Sequence, residues 1–254
     1  MNSVIETQMK HVTIRSFMPD AIENEMLESI LEAGRRAPTS SNMQAYSIVV
    51  VRDPDKKNAL AELAGGQQHI IDCPVFVAFC ADLHRLNVAC QMHGQEMTPN
   101  FETYTIATID AALVGMSVQT AAESCGLGAV MIGAMRNDPQ RAAELLGLPP
   151  QVYVVYGMCL GWPIEEKIPP QKPRLPQELV VHQEKYGTDS WTERIEEHDA
   201  ELAEHYAALG RNLDAAAWSG VMAKILTRRN GRNNLPVLEK MGFGICSQTG
   251  REDG

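Results

Sequence analysis

The chain has 254 residues, of which 44% are hydrophobic, and its formal net charge at pH 7 is −10. This length and composition suffice for the core of one α/β domain, and the acidic balance argues against a nucleic-acid surface, which needs clustered Lys and Arg. The six cysteines form no CxxC pair and no zinc-ligand spacing. The N-terminus, MNSVIETQMK, lacks the apolar core of a signal peptide, so we expect a cytoplasmic protein with reduced thiols.

An alternating polar segment follows a short amphipathic helix that we predict from Ser3 to Lys10. His11, Thr13 and Arg15 alternate with other residues, so in an extended chain all three side chains point the same way. One hydroxyl donor and two potential cations on one side suit an anion. A solvated edge with a chance alternation is the other interpretation.

Caps, glycines and apolar runs predict the next elements. They are a helix that begins with a capping box at Asp20 and is closed by Pro38, a polar loop from Thr39 to Gln44, a strand from Tyr46 to Val51, a helix from Asp53-Pro54 to Gly65-Gly66, a strand from Val75 to Cys80 and a helix from Leu83 to Thr98. The polar loop carries three hydroxyls and two amides, which make a rich set of hydrogen-bond donors.

A long helix is predicted from Thr105 to Gly126, where a glycine can adopt the left-handed conformation that ends helices. Apolar residues recur along it at three- and four-residue steps, with Val114 and Val118 beside them, so the apolar face wraps most of the helix: Ile106, Ile109, Leu113, Met116 and Ala121. We therefore expect protein to cover it on nearly every side. Asp110, Ser117 and Gln119 interrupt the apolar run well short of the ~20 residues of a membrane span.

Ala129 to Ile132 predicts a buried strand that ends at Gly133 and Ala134. Small residues in this position let a flat ligand approach the main chain, and our interpretation is that a flavin lies there. A core helix and core strand whose glycines serve only the turns is the alternative. A Rossmann site does not fit, because its GxGxxG motif follows a strand and opens a helix, whereas here the helix comes first.

A near-continuously apolar run, Val152 to Leu160, predicts a central strand. After this run the composition of the chain changes. A helix from Asp138-Pro139 to Gly147 precedes this strand. Gly161 to Pro176 then contains five of the fourteen prolines, with Lys167, Lys172 and Arg174. We expect an extended arm that crosses to a partner or brings cations to a site, although a plain surface connection is possible.

Helices are predicted from Ser190 to Leu209, Ala215 to Thr227 and Pro236 to Gly242, with a basic patch at Arg228, Arg229 and Arg232. His198, Glu201 and His205 share one helix face. A metal site is conceivable there, but a solvated acidic face is the favoured interpretation because the helix is polar nearly all round. With no repeat or low-complexity linker, we predict one domain over 1–254 with a C-terminal helical excursion at about 177–254.

Together these motifs resemble the nitroreductase family, and within it the subgroup of oxygen-insensitive NADPH nitroreductases and flavin reductases that carry a C-terminal excursion. The resemblance runs from about His11 to Trp218. It depends on His11-x-Thr13-x-Arg15, Ser40-Ser41-Asn42-Met43-Gln44, Gly65-Gly66-Gln67, Ala122-Glu123-Ser124 through Arg136, Gly157 to Pro163, and Lys172-Pro173-Arg174-Leu175-Pro176. It implies an α+β sandwich, with a mostly antiparallel sheet flanked by helices, in an intertwined homodimer with two FMN sites at the interface.

The same resemblance implies the residues of the FMN site. Those for the phosphate are His11, Thr13, Lys172 and Arg174. Those for the ring and ribityl chain are Arg15 at the N1–C2=O edge, Gln67, and Met131, Ile132, Gly133 and Ala134 against one face. Thr39, Ser40 and Ser41 are implied to come from the other subunit. The resemblance assigns no catalytic acid or base, and no metal.

The implied activity is a ping-pong reaction, in which NADPH or NADH reduces FMN and two electrons then pass to a nitroaromatic, a quinone or a related flat acceptor. The alternatives are an NAD(P)H:flavin reductase, a dehalogenating or flavin-cleaving relative, and a non-catalytic FMN-binding protein. Two features depart from the subgroup. Val12 stands where the subgroup often has a basic residue. The subgroup also places arginines in the loop after the first C-terminal helix, whereas here the loop from Leu209 to Asp214 holds only Arg211. The choice between NADPH and NADH therefore stays open, with Arg211 or the basic patch as candidate contacts to the 2′-phosphate.

Overall fold

A computed structural model describes residues 2–213, 216–227 and 232–245. The chain divides into two compact units, one made of Met1–Pro169 with Arg232–Gly254 and the other of Pro170–Gly231. The prediction of one domain with a C-terminal excursion stays a prediction beside this division.

The regular elements follow in chain order. They are α1 (Ser3–Met9), α2 (Asn24–Arg35), β1 (Tyr46–Val51), α3 (Pro54–Leu63), α4 (Gln68–Asp72), β2 (Val75–Asp82), α5 (His84–Met92), α6 (Phe101–Ser124), β3 (Gly128–Ile132), α7 (Pro139–Leu146), β4 (Val152–Gly161), α8 (Trp191–Ala208), α9 (Ser219–Leu226) and α10 (Leu235–Lys240). Helices α8 and α9 lie in the second unit, and the other elements lie in the first.

The described residues of the first unit form one antiparallel sheet in the order β1-β2-β4-β3. All residues of β2 and β4 are buried, as near-continuous apolar runs predict for central strands. Alternate residues of β2 enter different cores, since Val77 and Phe79 pack with α2 and α6 while Phe76 and Ala78 pack with α3, α4 and α7. Helices thus flank both faces of the sheet, and the predicted α+β sandwich is confirmed.

Helix α6 begins at Phe101, earlier than predicted, because the side chains and backbones of Asn100 and Thr103 form a reciprocal capping box. Its buried face is also displaced from the predicted one. Ile109, Leu113 and Met116 are 51%, 40% and 40% exposed. Residues of this chain therefore do not cover the helix on every side, and the expectation that protein covers it on nearly every side stays a prediction about a homodimer. The three residues form one apolar stripe on the helix surface.

By length and composition alone, α6 is long and apolar enough to cross a membrane. Core helices of soluble domains pass the same test, and α6 packs between the sheet and α2. Its Asp110 is fully buried and accepts hydrogen bonds from two backbone amides of the protein. These contacts are those of a core helix, not of a lipid-facing one.

The boundaries of α2 and α5 also differ from prediction. Helix α2 starts at Asn24, and its N-cap Glu23 makes no side-chain capping bond, so the predicted capping box at Asp20 is wrong. Helix α5 ends at Met92 instead of Thr98. After Gly94, which has a positive φ, the chain lacks regular structure until Asn100 caps α6.

Candidate functional site

The polar segment at residues 11–15 lies along the free edge of β3. Thr13 forms a parallel bridge with Ala129, and the Ile14 amide donates to the Ala129 carbonyl at 2.9 Å. The Ile14 side chain packs on Gly128, where a Cβ would lie 2.6 Å from Cγ1 of Ile14. Because Ile14 is buried, the alternation places His11, Thr13 and Arg15 on the opposite side of the segment.

His11 is held by two residues near the end of α6. Its Nδ1 lies 2.6 Å from Oε1 of Glu123, and Nε2 of Gln119 lies 3.0 Å from both of these atoms. Gln119 is 5% exposed, and the Glu123 side chain is 12% exposed. The imidazole therefore has a fixed anionic neighbour on its Nδ1 edge.

Arg15 lies close enough to His69 for its charge to act on that imidazole. Burial lowers the pKa of His69 from its usual 6.5, the Arg15 guanidinium lowers it further, and Asp72 opposes both effects. Among the described residues, Nε2 of His69 is a buried atom without a hydrogen-bond partner. Gln67, the N-cap of α4, donates to the Ala64 carbonyl at 3.1 Å, so it belongs to the same corner of the unit as His69.

The end of β3 has one exposed side chain beside buried ones. Met131 is 44% exposed, whereas the other residues of the strand are buried. A 3₁₀ turn, Gly133–Asn137, follows directly. Arg232 donates to the Gly133 carbonyl at 3.3 Å, and Asn234 donates to the Arg136 carbonyl at 2.9 Å. The segment that begins at residue 232 thus brings a cation of the predicted basic patch to the strand end; Arg228 and Arg229 lie outside the described residues.

The hydroxyl loop at Thr39–Gln44 is bound to the middle of α6. Oδ1 of Asp110 accepts from the Ser40 amide at 3.1 Å, and Oδ2 accepts from the Ala45 amide at 3.0 Å. Asp110 precedes Gln119 and Glu123 by nine and thirteen residues, which is about 14 and 20 Å along a helix. Within one chain, therefore, Thr39, Ser40 and Ser41 do not meet His11.

The two cations of the proline-rich arm lie in the second unit. Lys172 and Arg174 line a cavity of about 670 Å³ with the apolar residues Leu202, Val221 and Met222. Nζ of Lys172 lies 5.6 Å from the ring centre of Tyr206, within cation–π range.

The prediction of a solvated face on α8 is wrong for His198. This residue is 3% exposed, lines the same cavity, and its ring lies edge-on to Trp218. Within the described parts of the chain, no cluster of three His, Cys, Asp or Glu side chains could hold a metal ion.

Sequence reasoning missed four residues around this site: His69, Asp110, Gln119 and Glu123. Asp110 and Gln119 were noticed only as interruptions of an apolar helix, and Glu123 only as part of a family motif. Polar residues on the buried face of a core helix need partners, and that requirement was the available signal. Cys80 offers no reactive thiol, because burial raises its pKa to about 12, helped by the nearby charge of Asp82.

The chemistry of these side chains fits a flat cofactor with a phosphate. Thr13 offers a hydroxyl, His11 an imidazole and Arg15 a guanidinium on one side of an extended segment, and these groups suit a phosphate or an electron-rich ring edge. The exposed Met131 and the Gly133 backbone lie at the end of β3, where a Cβ on Gly133 would lie 3.3 Å from the Arg136 guanidinium. These are residues that could hold FMN, the cofactor implied by the motifs.

Comparison with known proteins gives the same assignment. The model of the nitroreductase family matches residues 9–162, and that of the nitroreductase family C-terminal domain matches residues 172–245. An FMN reductase [NAD(P)H] of Bacillus subtilis is 37% identical over 249 residues, which span 96% of this chain and 99% of that protein. An oxygen-insensitive NADPH nitroreductase of Salmonella typhimurium is 36% identical, with the same two coverages.

Solved structures share the fold as well as the sequence. The NADPH:FMN oxidoreductase of Vibrio harveyi, complexed with NAD+, superposes with a TM-score of 0.84 at 34% identity and covers 95% of this chain and 98% of its own. Both family models match in chain order and leave only short segments unmatched. The chain therefore belongs to the nitroreductase family.

Proposed function

We propose that this chain is an FMN-dependent NAD(P)H oxidoreductase that reduces flat acceptors such as nitroaromatics, quinones or free flavin. The observation that supports the proposal is the parallel pairing of residues 11–15 with β3, which sets His11, Thr13 and Arg15 along the strand that ends at Ile132. Relatives named FMN reductase [NAD(P)H] and oxygen-insensitive NADPH nitroreductase support it. When bound, FMN supplies the chemistry, by accepting a hydride from the donor and passing two electrons to the acceptor.

The residues of the chain would bind FMN, orient its ring and cover one of its faces. His11 and Thr13, with Lys172 and Arg174, would hold the phosphate, and Arg15 would stabilise the negative charge that the ring gains on reduction. Gln67 would hydrogen-bond the ring or the ribityl chain. The backbone from Met131 to Ala134 would pack against one face and leave the other face for the two substrates in turn.

A homodimer would complete the site. The exposed stripe of Ile109, Leu113 and Met116 begins beside Asp110 and runs towards the Gln119–Glu123 end of α6. A twofold axis close to this stripe would set the Asp110 end of one helix against the Glu123 end of its copy. Thr39, Ser40 and Ser41 of one subunit would then reach the His11 segment of the other, which a single chain does not allow. We propose this dimer as the functional unit of a soluble, cytoplasmic enzyme.

Purification tests the proposal directly. We expect the chain incubated with FMN and freed of excess to be yellow, to have the mass of a dimer in solution, and to oxidise NAD(P)H steadily when a quinone is present. A colourless chain after this treatment would contradict the whole assignment. Bound FMN without steady NAD(P)H oxidation would instead favour the non-catalytic FMN-binding alternative.

Arg232 is the described member of the basic patch, and its bond to Gly133 places it beside the proposed ring site. We propose that it contacts the 2′-phosphate of NADPH. The variant Arg232→Ala should raise the KM for NADPH roughly tenfold and change the KM for NADH much less, since a charge-assisted bond is worth ~1.5–3 kcal/mol. Steady-state kinetics with both donors measure this difference.

The matched control is Arg36→Ala, which removes an exposed arginine that is paired with Glu32 on α2. This control should leave both KM values unchanged. An equal rise in the two KM values of Arg232→Ala would show a loss of local structure and would remove the phosphate role.

A further inference from the structure

The second unit contains a cavity that is built entirely from its own residues. Its volume is about 670 Å³, which is typical of small-molecule sites, and the described residues that line it fall between positions 172 and 222. They come from the proline-rich arm, from α8, and from α9 with the residues before it. Asp199 of α8 accepts hydrogen bonds from the amides of Trp218 and Ser219 at the start of α9, so the two helical walls are joined.

Aliphatic side chains make up most of the cavity lining. Leu202 is buried, but three other lining residues, Val180, Leu213 and Val221, are 60%, 42% and 41% exposed. Exposed apolar surface is stabilised when an apolar molecule covers it and removes it from water. The lining therefore suits a ligand with an aliphatic chain.

The charge of the cavity is opposite in sign to that of the whole chain. The formal net charge of the chain at pH 7 is −10, yet the described lining residues include Lys172 and Arg174 and no Asp or Glu. Nζ of Lys172 lies 5.6 Å from the ring centre of Tyr206, which also lines the cavity. These two cations would pair with an anionic ligand and repel a cationic one.

His198 adds a polar group to the same wall. It is 3% exposed, and within the described part of the chain its Nδ1 is a buried atom without a hydrogen-bond partner. Buried polar atoms of native proteins nearly always have a partner, and where the protein offers none, a water or a ligand supplies it. An apolar cavity with a few polar groups in its wall is the usual form of a ligand site.

We infer that this cavity binds an aliphatic carboxylate, with its chain against Leu202, Val221 and Met222 and its carboxylate at Lys172 and Arg174. The inference does not require bound FMN. The same two cations are also proposed above for the FMN phosphate, however, so the two anions would compete for them. Each ligand would then weaken the binding of the other by the same factor.

Calorimetric titration of the full chain, freed of flavin, with three probes tests the inference. We expect octanoate to bind roughly tenfold or more tightly than 1-octanol, which has the same chain but no charge. Hexanoate should bind roughly tenfold more weakly than octanoate, because it buries two fewer methylene groups. The first comparison measures the contribution of the cations, and the second measures that of the aliphatic lining.

Variants locate the binding within the cavity. Lys172→Met keeps an unbranched side chain but removes its charge, so the affinity for octanoate should fall roughly tenfold and that for 1-octanol should change less than about twofold. Arg174→Gln should act in the same direction and serves as a second test of the charge. Leu202→Ala should weaken both ligands several-fold. The matched control Lys185→Met removes an exposed lysine of the same unit and should change neither affinity.

A repeat of the octanoate titration with saturating FMN distinguishes this inference from the proposed function. With shared cations, FMN should weaken octanoate and leave 1-octanol unchanged. Equal octanoate affinity with and without bound FMN would support a separate site in the cavity and would remove Lys172 and Arg174 from the phosphate role.

The inference is wrong if octanoate binds no more tightly than 1-octanol, if neither binds at millimolar concentration, or if Lys172→Met and Leu202→Ala both leave octanoate binding unchanged. None of these results affects the proposed function if the natural chain binds FMN and turns over. A chain that fails to bind FMN would contradict the proposed function, and the titrations with octanoate would still decide what the cavity binds.

Discussion

Replacement of Asp110 by alanine should lower the free energy of unfolding by about 2–4 kcal/mol. Asp110 is fully buried, and its two oxygens accept hydrogen bonds from the amides of Ser40 and Ala45. Alanine would remove both acceptors. Ala45 is itself fully buried, so its amide would remain without a partner and would not be hydrated.

The same carboxylate stabilises an unfavourable backbone. Ser41, Asn42 and Gln44, which lie between the two bonded amides, have φ values of 48°, 56° and 51°. Non-glycine residues in this region cost roughly 1 kcal/mol or more each, so the loop keeps its shape only while its ends are held. We therefore expect Asp110→Ala to weaken FMN binding as well, through the loop hydroxyls that we propose for the site.

Urea unfolding of the natural chain and three variants measures the effect. Asp110→Asn keeps the size of the side chain but turns its NH₂ group towards one of the two amide donors. The decrease in the free energy of unfolding should therefore be smaller for Asp110→Asn than for Asp110→Ala. Glu102→Ala, on the exposed face of the same helix, should change the free energy by less than about 0.5 kcal/mol. A loss below ~1 kcal/mol for Asp110→Ala would show that the loop is held by other contacts.

Much of the fold could be predicted because local chemistry determined it. A near-continuous apolar run predicted β4 as a central strand, and a second apolar run predicted β2 as a strand. The signals at Asp53-Pro54 and Gly147 correctly predicted the start of α3 and the end of α7. The start of α2 at Asn24 was predicted wrongly because its N-cap, Glu23, makes no side-chain capping bond that a sequence motif could reveal. The side of α6 that faces the sheet could not be predicted for another reason. Apolar residues cover most of the helix surface, so their periodicity does not identify which residues face the sheet.

In the candidate site, too, local features could be predicted from the sequence and long-range contacts could not. The alternation of His11, Thr13 and Arg15 is local, so the sequence predicted that these residues share one side. The partners of these residues are distant in sequence, since Glu123 follows His11 by 112 positions, and only tertiary packing brings the two together. His198 was misjudged similarly, because Trp218, which lies against its ring, follows it by twenty residues across a helix boundary.

The variant Arg15→Ala should keep FMN, more weakly bound, but lower its two-electron reduction potential by roughly 30–60 mV. A charge-assisted hydrogen bond is worth ~1.5–3 kcal/mol, and ~30 mV corresponds to ~1.4 kcal/mol for a two-electron couple. The direction follows from charge: Arg15 would stabilise the ring more after reduction than before it. Spectroscopic titration of the bound cofactor with a reference dye measures the potential.

Two control variants test whether the shift in potential comes from the charge of Arg15. Arg141→Ala removes an exposed arginine paired with Glu144 and should not move the potential, and Arg15→Lys should restore part of the shift because it keeps the charge. An unchanged potential in Arg15→Ala would remove Arg15 from this role.

The position of Arg15 can be tested even without a cofactor. Its guanidinium lowers the pKa of His69, so Arg15→Ala should raise that pKa towards its ordinary value, while burial keeps it depressed. An NMR titration of the cofactor-free chain follows His69 directly. If the pKa of His69 rises and the potential of bound FMN does not fall, Arg15 lies where the structure places it but does not contact the reduced ring. If neither changes, its side chain turns away from this corner in solution, and His69 owes its low pKa to burial alone.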